Sequence, residues 1–146
     1  MSGRNFMWER IMNHAYYGHE TTGSGCGAAL GWLKEQADKD NGLRLIHSDW
    51  VQMLSESGNI GLGIFVFFAV VMLLVVLSVT WKFKGCEIVT YAGAIVVASF
   101  VACFFVMGFD NIITYAQQGY LIPFIFLGIF YKIKDFNDDF CSNTFI

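Results

Sequence analysis

The residues best able to do chemistry in this sequence are one histidine and three arginines, all within the first 58 positions. His47 can act as a general base, because the unperturbed pKa of imidazole, about 6.5, lies near physiological pH. Arg4, Arg10 and Arg44 can bind an anion, because a guanidinium is always charged and can hold a phosphate through two parallel hydrogen bonds. The polar N-terminal segment therefore offers a base and several anion ligands.

Each of these residues also has a simpler interpretation. His47 comes directly before a predicted helix, where it could be a capping or surface residue. It could also form one wall of an anion site that uses the free backbone N–H groups of the helix N-terminus. The arginines could be solvated or could contact lipid headgroups. A metal site made by His14, His19 and His47 is not expected, because no ordered ligand spacing supports it, and the sequence indicates no cofactor.

These side chains must be positioned by short helices. Residues 3–14 are predicted to be helical, and residues 48–57 are predicted to form a second helix that ends at Gly58. Between them lie a glycine-rich loop at 18–27 and a polar stretch at 31–40 that we expect to be mobile. The first helix carries apolar side chains at helical spacing: Met7, Trp8, Ile11, Met12 and Ala15.

The rest of the chain has the composition of a membrane protein. Its 146 residues are 55% hydrophobic and only 14% charged, whereas soluble domains carry about 25% charged residues. The sequence predicts an all-α membrane protein with three transmembrane helices, at about 61–81, 88–107 and 112–131, after an extracytoplasmic segment at 1–59. Between residues 60 and 131 the charged residues are Lys82, Lys84, Glu87 and Asp110.

The lysines predict the orientation of these spans. Two lysines follow the first span and two follow the third, and cytoplasmic loops are enriched in basic residues near span ends. We therefore expect residues 1–59 to lie outside and the C-terminus to be cytoplasmic, with a polar tail at 132–146 that is disordered from residue 135. The net charge of −3 argues against nucleic acid as a partner.

A family resemblance is carried by residues 47–62, which read HSDWVQMLSESGNIGL. This run resembles the signature of the O-antigen ligase and O-antigen polymerase superfamily, in which it precedes a spanning helix. Residues 3–8 (GRNFMW) and 23–27 (GSGCG) resemble two further elements of that family, in the family's order. The resemblance covers about residues 3–131.

The resemblance implies a metal-independent membrane glycosyltransferase in the bacterial inner membrane. Such an enzyme transfers a glycan from an undecaprenyl-pyrophosphate carrier to an acceptor on the outer face of the membrane. The family's essential histidine and arginine would correspond to His47 and Arg4, with Arg44 and Arg10 as further candidates for binding pyrophosphate. Ligase and polymerase activities are not distinguished.

One departure from the family affects these expectations. Its members usually have about ten or more spans, and three are predicted here. The chain would then be the C-terminal part of a larger enzyme, a subunit whose partner chain supplies the missing helices, or an inactive member, and the isolated chain is expected to have little activity. The alternative is a non-catalytic membrane protein that binds a partner through its helices and outer segment.

Overall fold

The structure is a computed structural model that describes residues 3–40, 46–110 and 117–142, with side chains described for 5–36, 46–110 and 121–137. Most of these residues are helical, and none of them lies in a strand. The five α-helices are α1 (Gly3–Ile11), α2 (Ala28–Asp40), α3 (Asp49–Lys82), α4 (Glu87–Met107) and α5 (Gln117–Ser142), with a π-helical turn at Met12–Tyr16 directly after α1.

The N-terminal helices build a small core of their own, and we call residues 3–40 and 46–57 the head. Of the apolar stripe predicted for the first helix, Met7, Ile11 and Ala15 are buried in this core and Trp8 packs against it, whereas Met12 is only partly buried and begins the π-helical turn. The expectation that residues 31–40 are mobile is wrong, because they belong to α2, whose side chains at 29 and 33 pack into the core. The buried residues of this core are Met7, Ile11, Ala15, Ala29, Leu33 and Ile46.

Helix α3 consists of two helical segments separated at Gly58. Ser48 caps its start, since the Ser48 side chain accepts a hydrogen bond from the backbone N–H of Val51. Gly58 has φ 65° and ψ −168°, which is outside the helical region and is a conformation open essentially to glycine alone. The predicted end of the short helix at Gly58 is therefore confirmed as a break, after which the chain continues directly into a long apolar helix.

Among the helices of the described residues, two, α3 and α4, are long and apolar enough to cross a membrane. Within the most apolar 18-residue stretch of each, only 6% of α3 and 28% of α4 is buried inside the described structure. The central helix of a soluble domain would be mostly buried, because water-exposed apolar surface is unfavourable. The side chains that the helices do bury against one another include Val76, Val89, Val96, Phe100 and Phe130.

Helix α5 packs along α4 and differs from the predicted third span. It begins at Gln117 and contains a buried Pro123; residues 112–116 of the predicted span lie outside the described residues. The helix does not end near Tyr131 but continues to Ser142. The expectation that the tail is disordered from residue 135 is therefore wrong for residues 135–142.

The head and the lysines lie at opposite ends of the helices. The head joins the long apolar part of α3 at Gly58, whereas Lys82 ends α3 about 36 Å away at 1.5 Å per residue, and Lys84 follows it. The Cys86 Sγ lies 3.6 Å from the Asn137 Oδ1, so the part of α5 that follows Lys132 and Lys134 lies at the same end as the α3–α4 connection.

Candidate functional site

His47 lies at the junction between the head and the long helices, in an unusual backbone conformation. Its φ is +52°, a left-handed value that costs a residue other than glycine about 1–3 kcal/mol. Such a conformation persists only where the surrounding structure holds it. His47 directly precedes Ser48, the cap of α3, and both of its chain neighbours are buried.

On the N-terminal side, the head holds His47 through Ile46. The indole N–H of Trp8 on α1 donates to the carbonyl oxygen of Ile46 at 2.8 Å, and the side chain of Ile46 is fully buried in the core of the head. The element at residues 3–8 and the run at 47–62 were linked in the sequence only by resemblance. In the fold they meet at the residue before His47.

On the C-terminal side, the long helices hold His47 through two further hydrogen bonds. The Ser48 hydroxyl donates to the carbonyl of Met107 at 3.4 Å, and the indole of Trp50 donates to the carbonyl of Phe104 at 3.1 Å. Both acceptors lie in the last turn of α4, where carbonyl groups have no partner within the helix. The start of α3 is therefore fixed against the end of α4.

Asp110 is brought next to His47 by the same docking. The Nδ1 of His47 lies 3.8 Å from the Oδ1 of Asp110, within ion-pair range and longer than a hydrogen bond. The side chains are 34% and 69% exposed, so a ligand can reach both. A carboxylate facing Nδ1 orients an imidazole and leaves its Nε2 free to exchange a proton. In the sequence, Asp110 stood out only as one of four charged residues between 60 and 131; its place after the second predicted span, on the side expected for His47, was the available signal.

The structure describes the three candidate arginines to different extents and brings none of their described side chains next to His47. Arg4 is the second residue of α1, one turn before Trp8, and its side chain lies outside the described residues. Arg44 lies outside them entirely. Arg10 is exposed, two residues and therefore about 200° around the helix from Trp8, and its Cζ lies 5.6 Å from the ring centres of Phe6 and Trp32.

The other histidines belong to the surface of the head. His14 stacks on Trp32, with ring centres 4.9 Å apart, and His19 is exposed in the loop after the π-helical turn. Within the part of the chain that the structure describes, no three His, Cys, Asp or Glu residues are grouped so that they could hold a metal ion.

The glycine-rich loop fastens the head to the break in α3. The backbone N–H groups of Ser24 and Gly25 donate to the carbonyls of residues 55 and 56, each at 3.0 Å, and those of residues 59 and 60 donate back to the loop at 20 and 21. These bonds satisfy groups that the break at Gly58 leaves without helical partners. A side chain at Gly58 would lie 2.5 Å from the backbone nitrogen of Gly23, so the two glycines permit this contact.

Glu20 closes the same loop. Its Oε1 accepts the backbone N–H of Gly18 at 2.9 Å, and this hydrogen bond lowers the pKa of the exposed Glu20 carboxyl below its ordinary value. The capped start of α3 directly follows His47, whereas the loop is bonded to α3 at residues 55–60, eight or more residues further along the chain. The arrangement can present a partly exposed imidazole, with a carboxylate oxygen 3.8 Å from its Nδ1, at the end of an apolar helix pair.

Comparison with known proteins found no match: no family model, no curated protein and no solved structure is similar to this chain.

Proposed function

We propose that the chain is a membrane glycosyl-transfer module of the O-antigen ligase and polymerase type, acting on a glycan carried by undecaprenyl pyrophosphate. The observation that carries the proposal is that two other elements of the resemblance both contact the segment that contains His47. Trp8 bonds to Ile46, directly before His47, and the loop at 23–27 bonds to residues 55 and 56, about 12 Å further along the helix. These contacts are the ones expected if the three elements belong to one structural unit.

The chemistry assigned to the site has two parts. The acceptor hydroxyl gives its proton to the Nε2 of His47 and attacks the anomeric carbon, while Asp110 orients the ring. The bond between that carbon and the pyrophosphate oxygen breaks, and the pyrophosphate leaves with the electron pair. Arg4 and Arg44 are proposed to stabilise its charge, because a fixed guanidinium strengthens its interaction as charge develops on the leaving group. Arg10 is the weaker candidate, because it lies against Phe6 and Trp32.

The proposed membrane arrangement keeps the three spans expected from the sequence. The third of them, expected at 112–131, is described by the structure only from Gln117, where it is part of α5, and the head is proposed to face the outside of a bacterial inner membrane. Two features support this arrangement. The apolar stretches of α3 and α4 are largely exposed, and Lys82 and Lys84 lie at the end of α3 far from the head, as the enrichment of lysine in cytoplasmic loops predicts.

The test is complementation in a strain that lacks the gene. Wild-type protein is expected to restore the glycan product, whereas His47→Ala reduces it by about a hundredfold or more, the usual contribution of a general base. Asp110→Asn is expected to give an intermediate loss. His19→Ala is the matched control, because His19 is an exposed histidine of the same head, and it should restore the product fully.

A second function, that of a non-catalytic membrane interaction protein, is favoured by the exposed apolar faces of α3 and α4. These faces could receive helices of another chain, which an active member of the family with only three spans would also need. The same experiment separates the two functions. Full restoration by His47→Ala would reject catalysis and favour the interaction protein, whereas restoration by wild type alone supports the glycosyltransferase.

A further inference from the structure

Arg10 is held in place by two aromatic rings but has no anionic partner in the described part of the chain. Its Cζ lies 5.6 Å from the ring centre of Phe6 and 5.6 Å from that of Trp32, within the range of cation–π attraction. Its side chain is exposed, and it forms no ion pair or hydrogen bond with any residue that the structure describes. The guanidinium therefore presents its N–H donors to the surroundings from a fixed position, which suits an anion with two oxygens.

The segment that carries Arg10 is fastened first at the end of α4. Trp8 donates to the carbonyl of Ile46. Ser48, two residues after Ile46, donates to the carbonyl of Met107, the last residue of α4. The chain around Trp8 is therefore held close to the point where α4 ends.

The same segment is fastened again at the start of the long apolar part of α3. The Tyr16 hydroxyl donates to the Oδ1 of Asn59 at 3.1 Å, and Asn59 directly follows the break at Gly58. Eight residues separate Trp8 from Tyr16, about 12 Å at 1.5 Å per residue, comparable with the roughly 8–10 Å between the axes of packed helices. The segment therefore lies across the ends of α3 and α4, at the surface of a membrane that these helices cross.

The exposed side of this segment combines the arginine with aromatic rings. Phe6, one turn before Arg10, is 56% exposed, and Tyr17, at the other end of the segment, is 59% exposed. Basic residues together with exposed aromatic rings are typical of a helix that lies in the surface of a bilayer, with its rings about 5–10 Å into the boundary between headgroups and acyl chains. The phosphates of phospholipids lie at the same level.

We propose that Arg10 binds the phosphate of an anionic phospholipid in the leaflet next to the head, with the ring of Phe6 in the adjoining acyl-chain boundary. The inference rests on the membrane arrangement given under the proposed function, but it does not depend on glycosyl transfer. The carboxylate of an acidic sugar is the rival ligand for a fixed guanidinium. The phospholipid is favoured because both anchors of the segment hold Arg10 at the level of the headgroups.

The test is photolabelling of the full chain in nanodiscs of phosphatidylcholine and phosphatidylglycerol, with a phosphatidylglycerol that carries a diazirine on its headgroup. Label is expected on peptides that contain Phe6 or Trp32. Arg10→Gln should reduce this label about fivefold, which corresponds to the roughly 1 kcal/mol that one basic residue contributes near an anionic membrane surface. Lys34→Gln is the matched control and should leave the label unchanged, because Lys34 is an exposed cation of the same head, about 200° around α2 from Trp32.

Two results would overturn the proposal. An equal loss of label in Arg10→Gln and Lys34→Gln would indicate general attraction of the lipid to positive charge. Displacement of the label by soluble galacturonate, as effective as displacement by unlabelled phosphatidylglycerol, would indicate a site for sugar carboxylates. Phe6→Ser keeps the charge of Arg10 and should also lower the label, so the site is tested even if Arg10→Gln is unstable.

The result can be separated from the test of the proposed function. If His47→Ala restores the glycan product while the label depends on Arg10, the proposed function fails and the phospholipid site stands. If wild type alone restores the product and the label is the same in wild type and Arg10→Gln, the phospholipid site alone is rejected.

Discussion

At the scale of single residues, His47 keeps its left-handed conformation because both of its chain neighbours are held by hydrogen bonds. Trp8 of the head donates to the carbonyl of Ile46, and the hydroxyl of Ser48 donates to the carbonyl of Met107 on α4. In the proposed reaction, a backbone that is already fixed sets the direction of the imidazole, so no free energy is needed to order His47 when the substrate reacts. The tryptophan at position 8 therefore acts as a positioning residue, through Ile46.

Replacement of this tryptophan tests the positioning role. Trp8→Phe keeps most of the ring but removes the donor, which leaves the Ile46 carbonyl unpaired at a cost of about 1–3 kcal/mol. We expect lower thermal stability in detergent and faster amide exchange at residues 46 and 47. Trp81→Phe is the control, because Trp81 is 76% exposed. Its replacement should leave the thermal stability and the amide exchange at residues 46 and 47 unchanged. Identical exchange at 46 and 47 in the two variants would contradict the role of Trp8.

Gly58 gives a second prediction at this scale. An alanine there would need a positive φ, and its Cβ would lie 2.6 Å from the carbonyl oxygen of Thr21. Gly58→Ala should therefore destabilise the junction by more than about 1–3 kcal/mol, the cost of the conformation alone, measured by denaturant unfolding. Gly63→Ala, in the helical part of α3 where an added Cβ meets no atom within 4 Å, should instead be neutral or stabilising by up to about 1 kcal/mol.

At the scale of elements, α3 and α4 approach closely where Gly93 faces Thr80. A Cβ at Gly93 would collide with the Oγ1 of Thr80, whereas one at Gly128 on α5 would meet no atom within 4 Å. Helices in a membrane associate through such small residues. Gly93→Ala should lower the midpoint of unfolding by denaturant in detergent, and Gly128→Ala should not. A Gly93→Ala protein as stable as wild type would show that the helix contact is not needed.

The sequence predicted most helices because their patterns are local. The stripe from Met7 to Ala15, the break at Gly58 and the apolar stretches of α3 and α4 each follow from spacing or composition within one segment. Helix α2 was missed because its interior is polar, and it is stabilised by burial of Ala29 and Leu33 against other elements. The tail was misjudged for a related reason, since α5 continues past Lys132 while Asn137 packs beside Cys86.

The candidate site was less predictable than the helices, because it is made by contacts between distant segments. His47 could be identified from the run around it, but its contact with Asp110 spans 63 positions, the difference between the two residue numbers. The bond from Trp8 to Ile46 spans 38 positions. Only the docking of α1, α3 and α4 on one another brings these groups together.

At the scale of the whole molecule, a folded polar head and a lysine-bearing end are separated by a helix of about 36 Å, enough to cross the roughly 30 Å of a hydrocarbon core. The surface between them exposes large side chains such as Phe67, Leu74 and Phe105. Soluble monomers rarely expose a continuous apolar patch larger than a few hundred Å². Burial of this surface in lipid accounts for both its length and its composition.

Native cysteines allow the orientation to be measured directly. Cys26 is exposed on the head, and Cys86 lies partly exposed between α3 and α4 at the opposite end. In variants that retain only one cysteine, a membrane-impermeant maleimide should label Cys26 in cells with an intact inner membrane, and should label Cys86 only after that membrane is disrupted. A cysteine at position 47 should behave like Cys26, and one at Lys132 like Cys86. Labelling of Cys86 in intact cells, with Cys26 protected, would place His47 in the cytosol, away from any externally presented carrier.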